Sequence, residues 1–500
     1  MKKKYCSFNS NTYWIFNDNI RKIKKYALSF FFVLNVFLCN AQNKKEKMVI
    51  ENFITSYNNK EYSKMRKDFF LIARIILSEK KIKSSFEEIY RIWGQFKIEN
   101  ITTNTKNQFT ISLLSERDST ETEDFVLRLN KRKKIVSFFK KNNTLQFPEN
   151  AKILTITKKS ELIDSLMLDK SNKKVFNGCV CVMDSGRVIY KNCFGLSDFA
   201  REQKLEPNSI FYLASCSKQF TAMAIMILIE SGKININDHI QKYYPTFPYD
   251  NITIEHLLTH TSGLPDYFSL MHKYWAKEKQ ATNEDVISLM TKHKPKAYFK
   301  PGEDFDYSNT GYVILASIIE KSSGVSFSNF IDSSIFKKLG MKNSFVGGSS
   351  YASNLNRDNW AYGHVYSDSL KGYVIPDKIN GYEYLYYLNN IYGDGNINSS
   401  IDDLIIWEYA LRDSKLISNS NQLKMYDNHM LNSGKKIDYG YGFCVGKSRN
   451  SFVYHSGGWA GYHNLLIRFL NDDKAIFILS NNEYPSFNQL ATKIGNIILK

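Results

Sequence analysis

Between residue 44 and about residue 92, apolar positions such as Ile50, Phe53, Ile54 and Tyr57 recur at the three- and four-residue spacing of one helix face. The period then shortens. From residue 96 to 140 the runs FKIENITT, QFTISLLS, DFVLRLN and KIVSFFK alternate in the way strands of an antiparallel sheet do. Helices followed by a sheet predict a small α+β unit over residues 44–140. The polar, aperiodic stretch KKNNTLQFPENAK predicts a linker over residues 141–153 and a second, larger domain over 154–500.

In that larger domain the first clear element is GCVCVMDSGRVIYKNCFG, two β-rich runs around Asp184-Ser185-Gly186, which is a hairpin signal. Helical patterns fill the middle. β-rich runs return over residues 452–480, and a helical pattern over 487–499 closes the chain. A hairpin at the start and strands at the end require the two ends of the domain to share one sheet. The fold expected is α/β, more narrowly α+β: an antiparallel sheet flanked by helices plus a helical subdomain, preceded by the small α+β unit.

A length of 500 residues calls for more than one folding unit, and 43% hydrophobic with 23% charged residues and nine prolines excludes collagen-like, low-complexity and wholly disordered chains. Arg21, Lys22, Lys24 and Lys25 precede an apolar run over 26–39 and then Asn40-Ala41-Gln42, the order of a signal peptide cleaved after Ala41. An uncleaved anchor is the alternative. Leu38 stands where a lipoprotein signal carries a small residue, which speaks against lipid attachment at Cys39. Beyond this leader no apolar run approaches the ~20 residues that cross a bilayer. The expected location is therefore exported, periplasmic or secreted, with no stable membrane span after cleavage. Removing residues 1–41 takes seven basic side chains and one acidic one, lowering the formal charge from +18 to +12. That surplus is scattered lysine and not a block, so no nucleic-acid partner is expected.

Five cysteines remain after cleavage: Cys179, Cys181, Cys193, Cys216 and Cys444. An odd number spread this widely does not read as a disulfide framework or a zinc site, and small buried apolar residues are expected. His256 and His260 have the i,i+4 spacing of a helix-borne metal pair, but no Glu follows His256. No metal and no cofactor are expected.

The run LASCSKQFTAMAIMILIESGKI places Ser215 and Lys218 three residues apart at the start of an apolar helix that ends near Gly232. That spacing puts both side chains on one face. A serine hydroxyl needs a partner to take its proton, and a lysine desolvated at such a position can do so. The pattern alone is not diagnostic, because Ser78, Ser137, Ser171, Ser334 and Ser433 carry the same spacing to a lysine.

Context separates Ser215 from these. Residues 173–500 resemble the serine β-lactamase and penicillin-binding-protein-like hydrolases, through HLLTHTSGLPDY, FKPGEDFDYSNTGYVILASIIEKSSG, FKKLGMKNS, GDGNINSSIDDLIIWEYAL and HSGGWAGYHN. The second motif, Tyr307-Ser308-Asn309, resembles the class C β-lactamase, D,D-peptidase and esterase branch. The resemblance implies Ser215 as acylated nucleophile, Lys218 as its activator and Tyr307 as proton relay. It implies Asn309, His455, Gly457 and Gly458 as substrate-binding residues, with the Ser215 and Gly458 N–H groups as oxyanion hole. A phenol between cations would shift toward the phenolate and serve as base. Asn309 can hold Lys218 by its carbonyl and a substrate amide by its nitrogen. His260, Ser262, Gly263, Pro265, Pro301 and Gly302 read as architectural, and Gly393-Asp394-Gly395 as a loop beside the cleft.

One position departs from the pattern. Many relatives carry Lys where this chain has His455, on what reads as an edge strand. A mostly neutral imidazole there would weaken affinity for anionic β-lactams, and lowering the pH toward 6 would restore charge. The function expected is an exported serine hydrolase with an acyl-enzyme on an ester, a D-amino-acid peptide of cell-wall type or a β-lactam. The alternatives are a penicillin-recognising sensor with little turnover and a catalytically vestigial binding protein. Residues 44–140 resemble the small nuclear-transport-factor-like accessory domains that precede some secreted hydrolases.

Overall fold

The periodic apolar positions of the N-terminal segment close a core of their own. Helices α1 (Cys39–Asn58), α2 (Tyr62–Asp68), α3 (Leu71–Ile76) and α4 (Glu79–Trp93) cover a four-stranded antiparallel meander of β1 (Phe96–Thr105), β2 (Gln108–Ser115), β3 (Thr122–Leu129) and β4 (Ile135–Lys140). Phe53, Phe86, Phe125 and Phe138 pack edge-on and stacked between the two layers. The Ser78 hydroxyl caps α4 by accepting the Lys81 N–H, and the helix stops at Gly94, whose φ of +66° favours a residue without a Cβ. The computed structural model describes residues 39–76, 78–141, 145, 147, 153–349, 359–446, 451–484 and 486–500. The leader expected over 1–41 and the linker expected over 141–153 lie for the most part outside the described residues.

The larger domain begins one element earlier than its pattern suggests. Helix α5 (Ile156–Asn172) precedes the hairpin, and its buried face is Lys159, Ile163, Met167 and Lys170. Two of those four are lysines, paired with Asp184 and Glu121, so the apolar stripe that would announce the helix is half missing. Strands β5 (Gly178–Asp184) and β6 (Arg187–Phe194) follow, joined through Ser185 and Gly186, both at positive φ as a two-residue hairpin turn requires.

The middle of the domain is helical around α6 (Lys218–Glu230) and α7 (Asn309–Ser323), and it carries the small hairpin β7 (Val365–Ser367) and β8 (Gly372–Val374) and the short helix α8 (Tyr384–Tyr387). The chain closes with β9 (Cys444–Gly446), β10 (Phe452–Trp459), β11 (Tyr462–Phe469), β12 (Lys474–Ser480) and α9 (Phe487–Ile498). The sheet order is β9-β10-β11-β12-β5-β6, antiparallel throughout, with Ala475 opposite Met183 and Ser480 opposite Gly178. The two ends of the domain do share one sheet.

Alternation along β5 explains the layers. Val180 and Val182 face α5 and α9, while Cys181 and Met183 face the helical subdomain. Within that subdomain α6 is buried around almost its whole circumference, from Lys218 to Met226. A helix apolar on all sides belongs in the interior, and it takes the lysine of its first turn there with it.

Two expectations need correction. Cys179 and Cys193 form a disulfide, because the β5–β6 register sets them directly opposite each other; Cys181, Cys216 and Cys444 are buried free thiols. The His455 strand, β10, is not the edge strand either. β9 lies outside it, but that ladder stops at Tyr454, so residues 455–459 run on past it. Among the described residues no helix is long and apolar enough to cross a membrane.

Candidate active site

The short strand Phe211–Tyr212 pairs with Ile397–Ser399 and runs straight into a single tight turn of helix, Ala214–Ser217, that feeds α6. Ala214 sits at φ +49°, a left-handed conformation that costs an L-residue roughly 1–2 kcal/mol. The turn is held from both sides: the Leu213 N–H donates to Ile397 O at 2.9 Å and the Cys216 N–H to Leu213 O at 3.2 Å. This lifts Ser215 into a half-buried position while Cys216, Ser217 and Lys218 stay buried. The Ser217 hydroxyl accepts the Ile397 N–H at 3.1 Å.

Lys218 Nζ has three oxygen neighbours: Ser215 Oγ at 3.1 Å, Asn309 Oδ1 at 2.9 Å and the main-chain oxygen of Asp394 at 2.7 Å. Two of these are carbonyls and can only accept, so they take two N–H bonds. The third direction points at the serine. As an ammonium, Lys218 donates to Ser215; as a neutral amine, it presents its lone pair there and accepts the serine proton. Burial pulls the Lys218 pKa well below the usual lysine range, and the Asp394 carboxylate pushes back. Burial also raises Asp394, whose Oδ2 accepts the Tyr267 hydroxyl at 3.1 Å.

Tyr307 packs its ring 4.9 Å from Lys218 Nζ and 4.2 Å from the His260 ring. Burial holds this phenol far above its ordinary pKa, and the Ser215 side chain beside it offsets only part of that rise. The expected drift toward phenolate is therefore overturned. The cation it would need, Lys218, is itself drawn toward neutrality.

Asn309 is the first residue of α7, behind the cap Ser308, whose hydroxyl accepts the Gly311 N–H at 3.1 Å. The Ser308 N–H donates to His260 Nδ1 at 3.0 Å, so the wholly buried His260 anchors the residue between Tyr307 and Asn309. His256 has a different duty, closing the capping box of Thr253 with its ring nitrogen.

His455 is wholly buried on β10. Its Nδ1 lies 2.7 Å from the Ser456 carbonyl, which can only accept, so Nδ1 carries the proton. Nε2 then accepts from the Tyr439 hydroxyl at 3.0 Å. Burial and the nearby Lys218 charge push the imidazole pKa down to about 3. The expectation that His455 gains a proton near pH 6 is thus corrected: it stays neutral across the physiological range.

Gly457 is where β10 touches the serine turn. A Cβ there would overlap Leu213 O and stand 3.1 Å from both the Ser215 and Cys216 nitrogens. At Gly458 a Cβ would meet nothing within 4 Å, so that position borders open space. The structure brings all seven expected residues to one place. It gives Asp394, expected only in a loop beside the cleft, a direct contact through its main-chain oxygen, and it adds one residue that sequence reasoning missed, Tyr439 through its hydroxyl. A backbone acceptor has no residue-type signature, and Tyr439 is one of 32 tyrosines. The other Ser-Lys pairs do other things: Ser78 caps α4, and Ser137 lies in β4 of the N-terminal sheet.

The family model described as Beta-lactamase matches residues 163–497. Penicillin-binding protein 4* of Bacillus subtilis (strain 168) is 39% identical over 347 residues, covering 68% of this chain and 76% of that protein. Teichoic acid D-alanine hydrolase of Staphylococcus aureus (strain MRSA252) is 27% identical over 337 residues, 65% of this chain and 75% of its own. Among solved structures, a penicillin binding protein from Bacillus halodurans superposes with a TM-score of 0.57 at 23% identity, covering 66% of this chain and 98% of that one, a likeness of fold. Matched by that family model over more than half its length, the chain belongs to the beta-lactamase family and is a serine hydrolase.

Proposed function

We propose that this protein is an exported acyl-transferring hydrolase in which Ser215 is the nucleophile and Lys218 its base. The observation that carries the reading is the environment of Lys218 Nζ, where two carbonyl acceptors leave only one direction for a lone pair, toward Ser215 Oγ. Neutral Lys218 takes the serine proton as Oγ attacks the substrate carbonyl. The Ser215 and Gly458 N–H groups receive the oxyanion, a contribution worth ~10²–10³ in rate per donor. Lys218, now an ammonium, returns that proton through the Tyr307 phenol, which gives its own to the leaving group as it receives the one Lys218 carries. With Lys218 neutral again, it takes a proton from water, whose attack on the acyl-enzyme releases the acid and hands the proton back to Ser215 Oγ. Asn309 fixes Lys218 and offers its amide nitrogen to the substrate.

The substrate class follows from charge. With His455 neutral and its ring occupied by Tyr439 and Ser456, the third motif presents no cation to a carboxylate. Esters come first, then D-amino-acid peptides, then β-lactams. The similarity to a hydrolase of teichoic acid D-alanine favours a D-aminoacyl substrate of cell-wall origin. Export is supported by the order of basic, apolar and small residues over 21–42 and by the Cys179–Cys193 disulfide, a bond that persists in oxidising compartments. The test is a hydrolysis screen of D-alanyl esters, D-alanyl peptides and cephalosporins, with intact-mass detection of the Ser215 adduct. Turnover of the esters with a transient adduct is the expected result. A stable penicillin adduct with no turnover of any substrate would make the protein a sensor instead.

A further inference from the structure

The N-terminal unit does not merely precede the hydrolase domain; it is tied to it at several points, Glu121 to Lys170 and Lys493 and Arg91 to Glu483 among them, and one group of these contacts holds a single small segment. Arg117, at the end of β2, donates to Asp368 Oδ1 at 2.6 Å and lays its guanidinium 3.5 Å over the Tyr366 ring. Lys60 reaches the other oxygen of Asp368 at 3.2 Å. Arg91, on α4, pairs with Glu483 and sits over the Tyr382 ring. Tyr366, Asp368 and Tyr382 all belong to one segment, residues 365–387, which comprises the β7–β8 hairpin and α8.

The opposite side of that segment packs against the end of β10 and the turn after it, next to Gly458. Val365 and Leu385 share a small core with Ala460, against which Tyr384 and Trp459 pack, the latter two rings edge-on at 5.3 Å. Trp459 is the residue after Gly458 and is only half-buried, and it also stacks obliquely near Tyr212 and Phe268. The 365–387 segment has little core of its own: its two strands are three residues each and α8 is one turn. Elements that small do not hold a position without outside support.

We propose that Arg91 and Arg117 are positioning residues, through which the N-terminal unit clamps residues 365–387 against Trp459 and so sets the wall of the substrate cleft next to the third motif. The consequence for catalysis rests on the reading of Ser215 as nucleophile; the clamp itself does not. An extended or aromatic acyl group lies against that wall and feels its position, whereas a small probe reaches Ser215 without touching it.

The experiment uses the full chain and the variants Arg91→Ala/Arg117→Ala, Asp368→Asn, and the exchanged pair Arg117→Asp/Asp368→Arg. Hydrogen–deuterium exchange is followed in peptides covering 365–387 and 459–463, and Ser215 labelling is timed with a small alkyl and a bulky aromatic fluorophosphonate. Loss of the clamp should speed exchange in both peptides by about tenfold or more and slow the bulky probe by about tenfold, with the small probe changed less than about twofold. The exchanged pair sets a guanidinium at 368 against Lys60 and takes the cation off the Tyr366 ring, so it should lose protection as the double variant does; full protection in it would overturn the proposal. Unchanged exchange in a folded double variant overturns the proposal, as does an equal loss for both probes. If the double variant does not fold, Asp368→Asn decides by the same two readouts. Absence of Ser215 labelling even in the parent protein would refute the catalytic reading, while the exchange data would still decide on the clamp.

Discussion

The Tyr439 hydroxyl donates to Nε2 of His455 at 3.0 Å, while the same imidazole spends its only proton on the Ser456 carbonyl. Both ring nitrogens are therefore committed within the protein, and His455 brings no charge to the third motif.

The first prediction concerns pH. With His455 pushed down to about 3, the ratio of kcat/KM for an anionic penicillin to that for a neutral ester should stay flat from pH 8 to pH 5. A rise on acidification would mean the imidazole titrates in that range. Tyr439→Phe leaves Nε2 buried without its donor, a loss of ~1–3 kcal/mol in stability, read as a lower midpoint in urea.

Lys218 supplies the second. Its pKa is lowered by burial, so the amine is neutral above that depressed value and charged below it. Acylation should fall as pH drops through this point, well under the usual lysine range. Asp394 opposes the shift, so Asp394→Asn should carry the acid limb of the labelling rate to lower pH. An unmoved limb would show that Lys218 does not feel the carboxylate.

Third, the two serines of the turn should behave oppositely. Ser215→Ala should abolish fluorophosphonate labelling with little change in melting temperature. Ser217→Ala should keep labelling but lose ~1–3 kcal/mol, because the buried Ile397 N–H loses its acceptor. Labelling that survives Ser215→Ala would place the nucleophile elsewhere.

Fourth, Gly457→Ala drives a methyl group into Leu213 O and toward the Ser215 nitrogen, moving β10 off the serine turn. Labelling should drop by ~10² or more, the scale of a lost oxyanion donor, while circular dichroism stays unchanged. Gly458→Ala, with nothing within 4 Å of its Cβ, should fold normally; equal effects at both glycines would contradict this contact.

Much of this was legible in the chain. The four strands over 96–140 and the closing of the large sheet by its two ends follow from period and order alone. The grouping of Ser215, Lys218, Tyr307 and Asn309 comes from the resemblance of the motifs around them to the serine β-lactamase and penicillin-binding-protein-like hydrolases; spacing by itself links only Ser215 to Lys218, and five other serines share it. Helix α5 escaped because Lys159 and Lys170 occupy its buried face, where only distant acidic partners make them tolerable. The Cys179–Cys193 bond escaped because a cross-strand pair depends on register, which a bulge between Val182 and Met183 shifts. His455 reads as mostly neutral in the sequence, but how far it lies from titrating near pH 6, and the upward direction of the Tyr307 shift, escaped for a third reason: both follow from burial, and a motif carries no measure of depth.

The position of β5 in the sheet bears on how the protein is made. Its inner neighbour, β12, is synthesised almost three hundred residues later, so a nascent chain presents β5 with one side open for most of that time. An unpaired apolar strand is a template for wrong partners. The disulfide to Cys193 joins β5 to the one neighbour available at once and fixes which residue faces which. It keeps the hairpin in register until the C-terminal strands arrive; the edge toward β12 is open in either redox state, and a reduced chain adds the freedom to slip that register before β12 pairs.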